Sequence, residues 1–103
     1  PLYRLAKSRQ LWERRIAIMA TIHFVKHHEF SETLKISKLL LCDRHDLIHK
    51  ATGWMLREIG KRDLRTEETF LKAHYKKMPR TMLRYAIEKF PENQRQRYLK
   101  GNI

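Results

Sequence analysis

An all-α chain is predicted by three observations. Gly and Pro number only three each among 103 residues. No stretch alternates apolar and polar residues as a half-buried strand does. Apolar residues recur instead at the spacing of a helix with one face in a core, as Leu47, Ile48, Ala51, Met55 and Ile59 do. A hydrophobic content of 42% supplies that core and argues against wholesale disorder.

The elements follow in order. Residues 2–7, LYRLAK, read as the tail of a helix. Ser8 is a candidate N-cap for a long helix over about 10–28. Ser31 is the candidate cap of the next, about 32–42, and Asp43 or Asp46 of a third, about 46–61. Gly60 lies near the end of that third helix, where glycine is common. A fourth covers about 65–77. Pro79 sits at the first turn of a fifth that runs to Phe90. Pro91 breaks it and starts a last turn over about 92–99, and the tail Gly101-Asn102-Ile103 is expected to fray.

About five to six helices with short connections imply stacked antiparallel pairs within one domain, residues 1–103. Trp12 and Trp54 stand 42 residues apart, each ahead of arginine, in WERR and WMLR. Helix pairs every ~40 residues mark HEAT-like arrays. A HEAT-like α-solenoid is therefore expected, with a three- or four-helix bundle as the other arrangement.

Charge narrows the partner. Lys and Arg total 23 against 11 Asp and Glu, a net charge of +12. Such an excess points to a polyanion: DNA, RNA or an anionic membrane. No apolar run approaches the ~18 residues of a membrane span, and the first ten residues lack the core of a signal peptide. Cys42 is the sole cysteine, so no internal disulfide and no cysteine-based zinc site forms. A reducing cytosolic setting, cytosol or nucleoid, is expected. After Leu39-Leu40-Leu41, Cys42 reads as a small buried residue.

Three constellations carry chemistry. The segment 10–28 is apolar nearly all round and reads as a central helix packed on several sides. Arg15 lies one turn from Leu11 and Met19, so it either pairs with a buried acid or reaches a phosphate. Arg14 reads as a solvated charge. In KATGWMLREIGK (50–61), Lys50, Trp54, Arg57 and Lys61 fall within ~60° of one another on the helical wheel. Forked arginine donors suit phosphate and a tryptophan face suits a base, a sugar or a cation. The competing reading is a boundary tryptophan with lysines reaching outward. In PRTMLRYAIEKF (79–90), Arg80 and Arg84 share a face. The histidine pairs 23/27 and 45/49 lack the glutamate of a His-Glu-x-x-His zinc motif. Neither a phosphate-binding glycine loop nor a serine elbow is present. The carboxylates read as caps or as helix-surface pairs such as Glu67 and Glu68, so no metal, cofactor or catalytic acid is assigned.

Three strings, LWERRIAIMAT (11–21), DLIHKATGWMLREIGKRD (46–63) and MPRTMLRYAIEKF (78–90), together resemble the C-terminal half of the AlkD-like DNA alkylation repair glycosylases. The resemblance covers nearly the whole chain, in matching order and spacing. It implies a curved HEAT-like solenoid whose concave cationic face meets duplex DNA. It also implies hydrolysis of the N-glycosidic bond of N3- or N7-alkylated purines. Those bases are cationic and leave readily, so the family needs little acid catalysis of their departure, and an aspartate stabilises the sugar cation or positions water. Tryptophans line its cleft, and the lesion is not inserted into a tight pocket, unlike the usual extrusion strategy. By position, Arg15 matches an arginine near the lesion, Trp54 the cleft tryptophan and Arg57 a backbone contact. Lys50, Lys61 and Arg84 fit the same surface. The family's catalytic aspartate lies in a Trp-Asp segment upstream of residue 10, and residues 1–9 do not resemble it. Asp43, Asp46 and Asp63 stand in the wrong context to replace it.

The expectation is thus a C-terminal portion of a larger solenoid that binds alkylated duplex DNA and excises nothing alone. Its raw end is expected to favour self-association. The alternatives are a non-catalytic HEAT-like nucleic-acid module and a scaffold for an acidic protein partner.

Overall fold

In a computed structural model describing residues 2–103, the backbone is helical with no strand among those residues. The elements are α1 (Leu2–Ala6), α2 (Leu11–Ala20), α3 (Ile22–Lys26), α4 (Ser31–Leu40), α5 (Asp46–Arg62), α6 (Leu64–His74), α7 (Arg80–Ala86) and α8 (Glu92–Lys100). That makes eight among the described residues rather than five to six. The expected long helix 10–28 accounts for part of the difference, because it breaks at Thr21. There the Thr21 hydroxyl and backbone N–H both turn back to the Ile18 carbonyl, at 2.6 and 3.2 Å. Such back-bonding tightens a turn and bends a helix. The helical run then stops at Lys26, two residues early. His28 takes the left-handed conformation at φ 60°, its N–H meets the Val25 carbonyl and that of Glu29 meets Phe24. This is the double hydrogen-bond closure usually built on glycine.

Several caps differ from expectation by one or two residues. Ser8 is not the cap of α2, but its Oγ accepts from the Gln10 N–H. Ser31 is the first residue of α4, after Phe30. His45 caps α5 by accepting from Leu47 N–H, while Asp43 receives the His45 N–H. Asp63 caps α6 through Thr66 N–H. Pro79 and Pro91 precede α7 and α8. The C-terminal tail is docked: Gly101 turns it at φ 75°, Tyr75 OH donates to the Ile103 carbonyl at 3.0 Å, and Ile103 packs on the core.

Two cores flank α5. Ala17, Ile18, Ile36, Leu40, Ile48 and Met55 belong to the first, built from α1, α2, α4 and one side of α5. Leu56, Ile59, Leu71, Met82, Leu83 and Tyr98 belong to the second, which α6, α7 and α8 complete. Each fully buried aliphatic side chain contributes ~1.5–3 kcal/mol. The Cα extents are 38 × 29 × 18 Å. Eighteen ångströms is room for two helical layers at the usual 8–10 Å between axes, an arrangement compatible with an α-solenoid. The 42-residue tryptophan spacing does not mark equivalent positions, however. Trp12 is in the first turn of α2 and 60% exposed, whereas Trp54 is half-buried in the middle of α5.

The buried face of α5 is as the spacing predicts at Ile48, Ala51, Met55 and Ile59, but Leu47 is 47% exposed. Exposure of Trp12 and Ile16 likewise shows that α2 is not enclosed on all sides. Cys42 is exposed, because it follows the end of α4 in the turn toward α5. Among the described residues no helix is long and apolar enough to cross a membrane.

Candidate nucleic-acid interface

Helices α2, α5 and α7 meet around an open cleft of about 310 Å³. Arg15 and Met19 come from α2, Leu47, Lys50, Ala51, Trp54 and Arg57 from α5, and Tyr85 from α7. The three α5 side chains Lys50, Trp54 and Arg57 are three or four residues apart. A helix places them on one face one above the other, and the helical wheel reads correctly here. Gly53 sets the third wall. A Cβ there would lie 2.5 Å from the Met82 carbonyl oxygen and 2.6 Å from Tyr85 Cβ. Only a glycine lets α7 approach closely enough to bring Tyr85 beside the residue that follows Gly53, which is Trp54.

The charges in the cleft differ in freedom. Arg15 is exposed and forms no ion pair among the described residues. Its charge is available to a ligand. Lys50 meets Asp46 at 3.3 Å, both half-exposed, a pair of little strength. The hydrogen bond from Lys50 outweighs burial and holds the Asp46 carboxyl below its ordinary range. Arg57 pairs with Glu88 through Nη1. The arginine side chain is mostly buried and Glu88 mostly exposed, so a stronger anion can compete for the guanidinium. Arg14, expected to be solvated, is the structural cation. Its Nε donates to Asp43 at 2.6 Å and its Nη1 to the Ser8 carbonyl at 3.1 Å, tying α2 to the α4–α5 turn. The acid partner that the spacing offered to Arg15 is thus taken by Arg14, and Arg15 is left facing the cleft.

Four of the six predicted residues, Arg15, Lys50, Trp54 and Arg57, line this cleft. Lys61 does not. It lies two turns beyond Trp54, meets Glu58 at 2.9 Å and lines a neighbouring cleft. Burial alone would raise the Glu58 pKa, but hydrogen bonds from Lys61 and Arg62 outweigh it and the net shift is downward. Arg84 is exposed on α7 and lines neither cleft. Arg80, its partner on the wheel, caps α8 by donating to the Leu99 carbonyl at 2.6 Å.

Two residues escaped the sequence reading. Tyr85 was hidden beside the charge of Arg84 and the apolar face of Met82, Leu83 and Ala86. Glu67, taken for a surface residue, is 1% exposed. Its spacing was a usable signal, since 67, 70 and 71 fall on one helical face and Phe70 and Leu71 are buried. Burial, then the charge of Glu68, pushes the Glu67 carboxyl up to about 9, with Arg57 opposing. Glu67 is therefore neutral at pH 7.

The histidines serve local roles. His27 Nδ1 lies 2.8 Å from the His23 carbonyl, His45 is a cap, and His49 Nε2 lies 2.5 Å from the Asp43 carbonyl. Among the described residues, no three His, Cys, Asp or Glu side chains gather as metal ligands would. No carboxylate among the described residues lines the α2–α5–α7 cleft.

A family model described as DNA alkylation repair enzyme matches residues 1–90. Neither a curated protein nor a solved structure gives a match.

Proposed function

The chain belongs to the DNA alkylation repair enzyme family, and from that premise we propose that its α2–α5–α7 cleft binds duplex DNA at an alkylated purine. The observation that carries this reading is the convergence on one cleft of Arg15 from α2 with Lys50, Trp54 and Arg57 from α5. Arg15 and Lys50 contact phosphates from opposite walls, and Arg57 exchanges Glu88 for a phosphate oxygen. Phosphate contacts fix position rather than sequence.

The faces of Trp54 and Tyr85 supply the preference for damage. An N3- or N7-alkylated purine carries positive charge. An aromatic face attracts a cation by ~0.5–2 kcal/mol, most strongly at tryptophan. The same charge makes the base a good leaving group for hydrolysis of the N-glycosidic bond. The chain's part in that reaction is to hold the DNA and the lesion. Among the described residues no carboxylate lines the cleft to stabilise the sugar cation or direct water. That last observation favours a second, binding-only reading for these residues by themselves. The HEAT-like solenoid and a concave DNA-facing surface fit the same proposal.

Competition between duplexes tests it. The 103-residue chain is expected to prefer a duplex with one 7-methylguanine over its undamaged counterpart, and Trp54→Ala to abolish the preference. Equal affinity for both duplexes would refute the aromatic role. Robust release of 7-methylguanine by this chain would overturn the binding-only reading.

A further inference from the structure

The cations outside the α2–α5–α7 cleft are unevenly spread. Residues 69–87 hold five Lys or Arg and one His, with no Asp or Glu. Lys72, His74, Lys76 and Lys77 crowd the end of α6 and the turn beyond it, where they help to line an open recess of about 300 Å³. Lys38 of α4 joins them. Burial, then the charges of Lys38 and Lys77, lowers the His74 pKa below its ordinary value.

Lys38, Lys72, Lys76 and Lys77 are all exposed, and none forms an ion pair among the described residues. Glu68, one turn before Lys72, accepts instead from Gln94 at 2.6 Å and from Tyr98 OH at 3.0 Å. The C-terminus of α6 offers the equivalent of roughly half a negative charge, too little to balance four lysines. Like charges held together destabilise the compact state, and a polyanion relieves that repulsion.

Helix α5 stands between this patch and the cleft. Trp54 faces the cleft, whereas Leu56, ~160° away round the helix, belongs to the core that α6 completes. The recess and the cleft share no lining residue. The thinnest Cα extent of the chain is 18 Å, beyond the Debye length of ~10 Å at 0.1 M salt. Anions held on the two faces therefore repel each other little.

We propose that Lys38, Lys72, Lys76 and Lys77 form a second DNA surface, which takes the phosphate backbone of another duplex while the cleft holds the first. A lysine meets phosphate as a point charge without the fixed fork of arginine, which suits contact that ignores register and sequence. Unpaired bases would need an exposed aromatic face to stack on. Phe70 and Tyr75, the large aromatics of α6 and its turn, are buried, and the Lys76 ammonium lies 5.9 Å from the centre of the Tyr75 ring. A duplex, whose bases are already stacked, fits this surface better than a single strand. The choice of DNA as the polyanion rests on the proposed function; the patch itself does not.

The test mixes the 103-residue chain with two duplexes, a donor-labelled one bearing 7-methylguanine and an undamaged acceptor-labelled one. Energy transfer between them is expected, with a sedimenting complex of one chain and two duplexes. Four phosphate contacts predict a salt slope of about −3 to −4 for the second duplex. The Lys72→Gln, Lys76→Gln, Lys77→Gln variant changes only exposed side chains, so it keeps the fold. It should retain one duplex and lose the transfer, and the summed salt slope should fall by about 3. The Trp54→Ala, Arg57→Ala variant should still take up the undamaged duplex at the patch. Transfer by the triple variant equal to the wild type, or a wild-type complex that never exceeds one duplex, would overturn the proposal. Two chains in the bridged complex would assign bridging to self-association and overturn it too. Tighter binding of polyglutamate than of duplex at the patch would make the partner an acidic protein, and the proposal would fall. The cleft reading fails separately, if the Trp54→Ala, Arg57→Ala variant binds both duplexes as the wild type does.

Discussion

Gly53→Ala is the most informative single change. Nonbonded carbon contacts settle at ~3.5–4.0 Å, and the new methyl would sit 2.5 Å from the Met82 carbonyl oxygen and 2.6 Å from Tyr85 Cβ. Neither is the free end of a flexible side chain, so α7 must retreat by about 1 Å. Overpacking of this kind costs about 1–3 kcal/mol, toward the upper end when a backbone carbonyl is struck. Alanine returns ~0.8–1.0 kcal/mol of helix propensity. The net loss is therefore about 1–2 kcal/mol, or roughly 5–10 °C in Tm for a chain of this size. Tyr85 moves with α7, so affinity for duplex DNA should fall as well. Thermal unfolding followed by circular dichroism, with a duplex titration on the same sample, measures both. An alanine variant that melts at or above the wild-type temperature with unchanged affinity would refute the packing argument.

Other expectations are independent of that one. Arg14→Ala should destabilise the fold by about 1–3 kcal/mol, because Asp43 loses its charged partner. Arg15→Ala should leave urea unfolding within ~0.5 kcal/mol while lowering the salt slope of DNA binding by about 1; the opposite pattern would make Arg15 a structural residue. His28→Gly should stabilise by up to ~1 kcal/mol, since a non-glycine left-handed residue costs about 1–2 and the greater freedom of unfolded glycine offsets part; a loss of stability in calorimetry would contradict this. Glu67 is raised from 4.5 to about 9, so the native state holds a proton that the unfolded state has released. Stability is fullest below pH 4.5 for this group and falls as pH rises toward 9. Each pH step above 4.5 costs about 1.4 kcal/mol, a penalty of order 3 kcal/mol at pH 7. Glu67→Gln should remove it, so the stability difference between variant and wild type must widen from pH 5 to 8; a constant difference would mean that Glu67 is ionised in the native state.

The all-helical fold was legible because local signals agree: few Gly and Pro, proline at the helix starts, and a steady period on α5. The α5 stripe was legible for the same reason, since Lys50, Trp54 and Arg57 belong to one rigid helix. What failed depends on neighbours. Nothing local tells Arg14 from Arg15, because the difference is Asp43, 29 residues away. Leu47, Trp12 and Ile16 are apolar yet exposed, as they lie on edges that the tertiary packing leaves open. Cys42 follows three leucines but falls in a turn. Tyr85 enters the cleft only because Gly53, 32 residues earlier, admits α7. Glu67 shows the reverse case, in which a helix period placed a carboxyl in the interior and its charge disguised it.

The central claim is that the face of Arg15, Lys50, Trp54 and Arg57 grips DNA. The most direct measurement is titration of the chain with a short duplex bearing an abasic-site analogue, at several salt concentrations, beside the Trp54→Ala, Arg57→Ala double variant. Three phosphate contacts predict a slope of log affinity on log salt of about −3, with the double variant weaker at every salt concentration and its slope reduced by about 1. Equal binding by the double variant, or no binding by the wild-type chain, would contradict the claim.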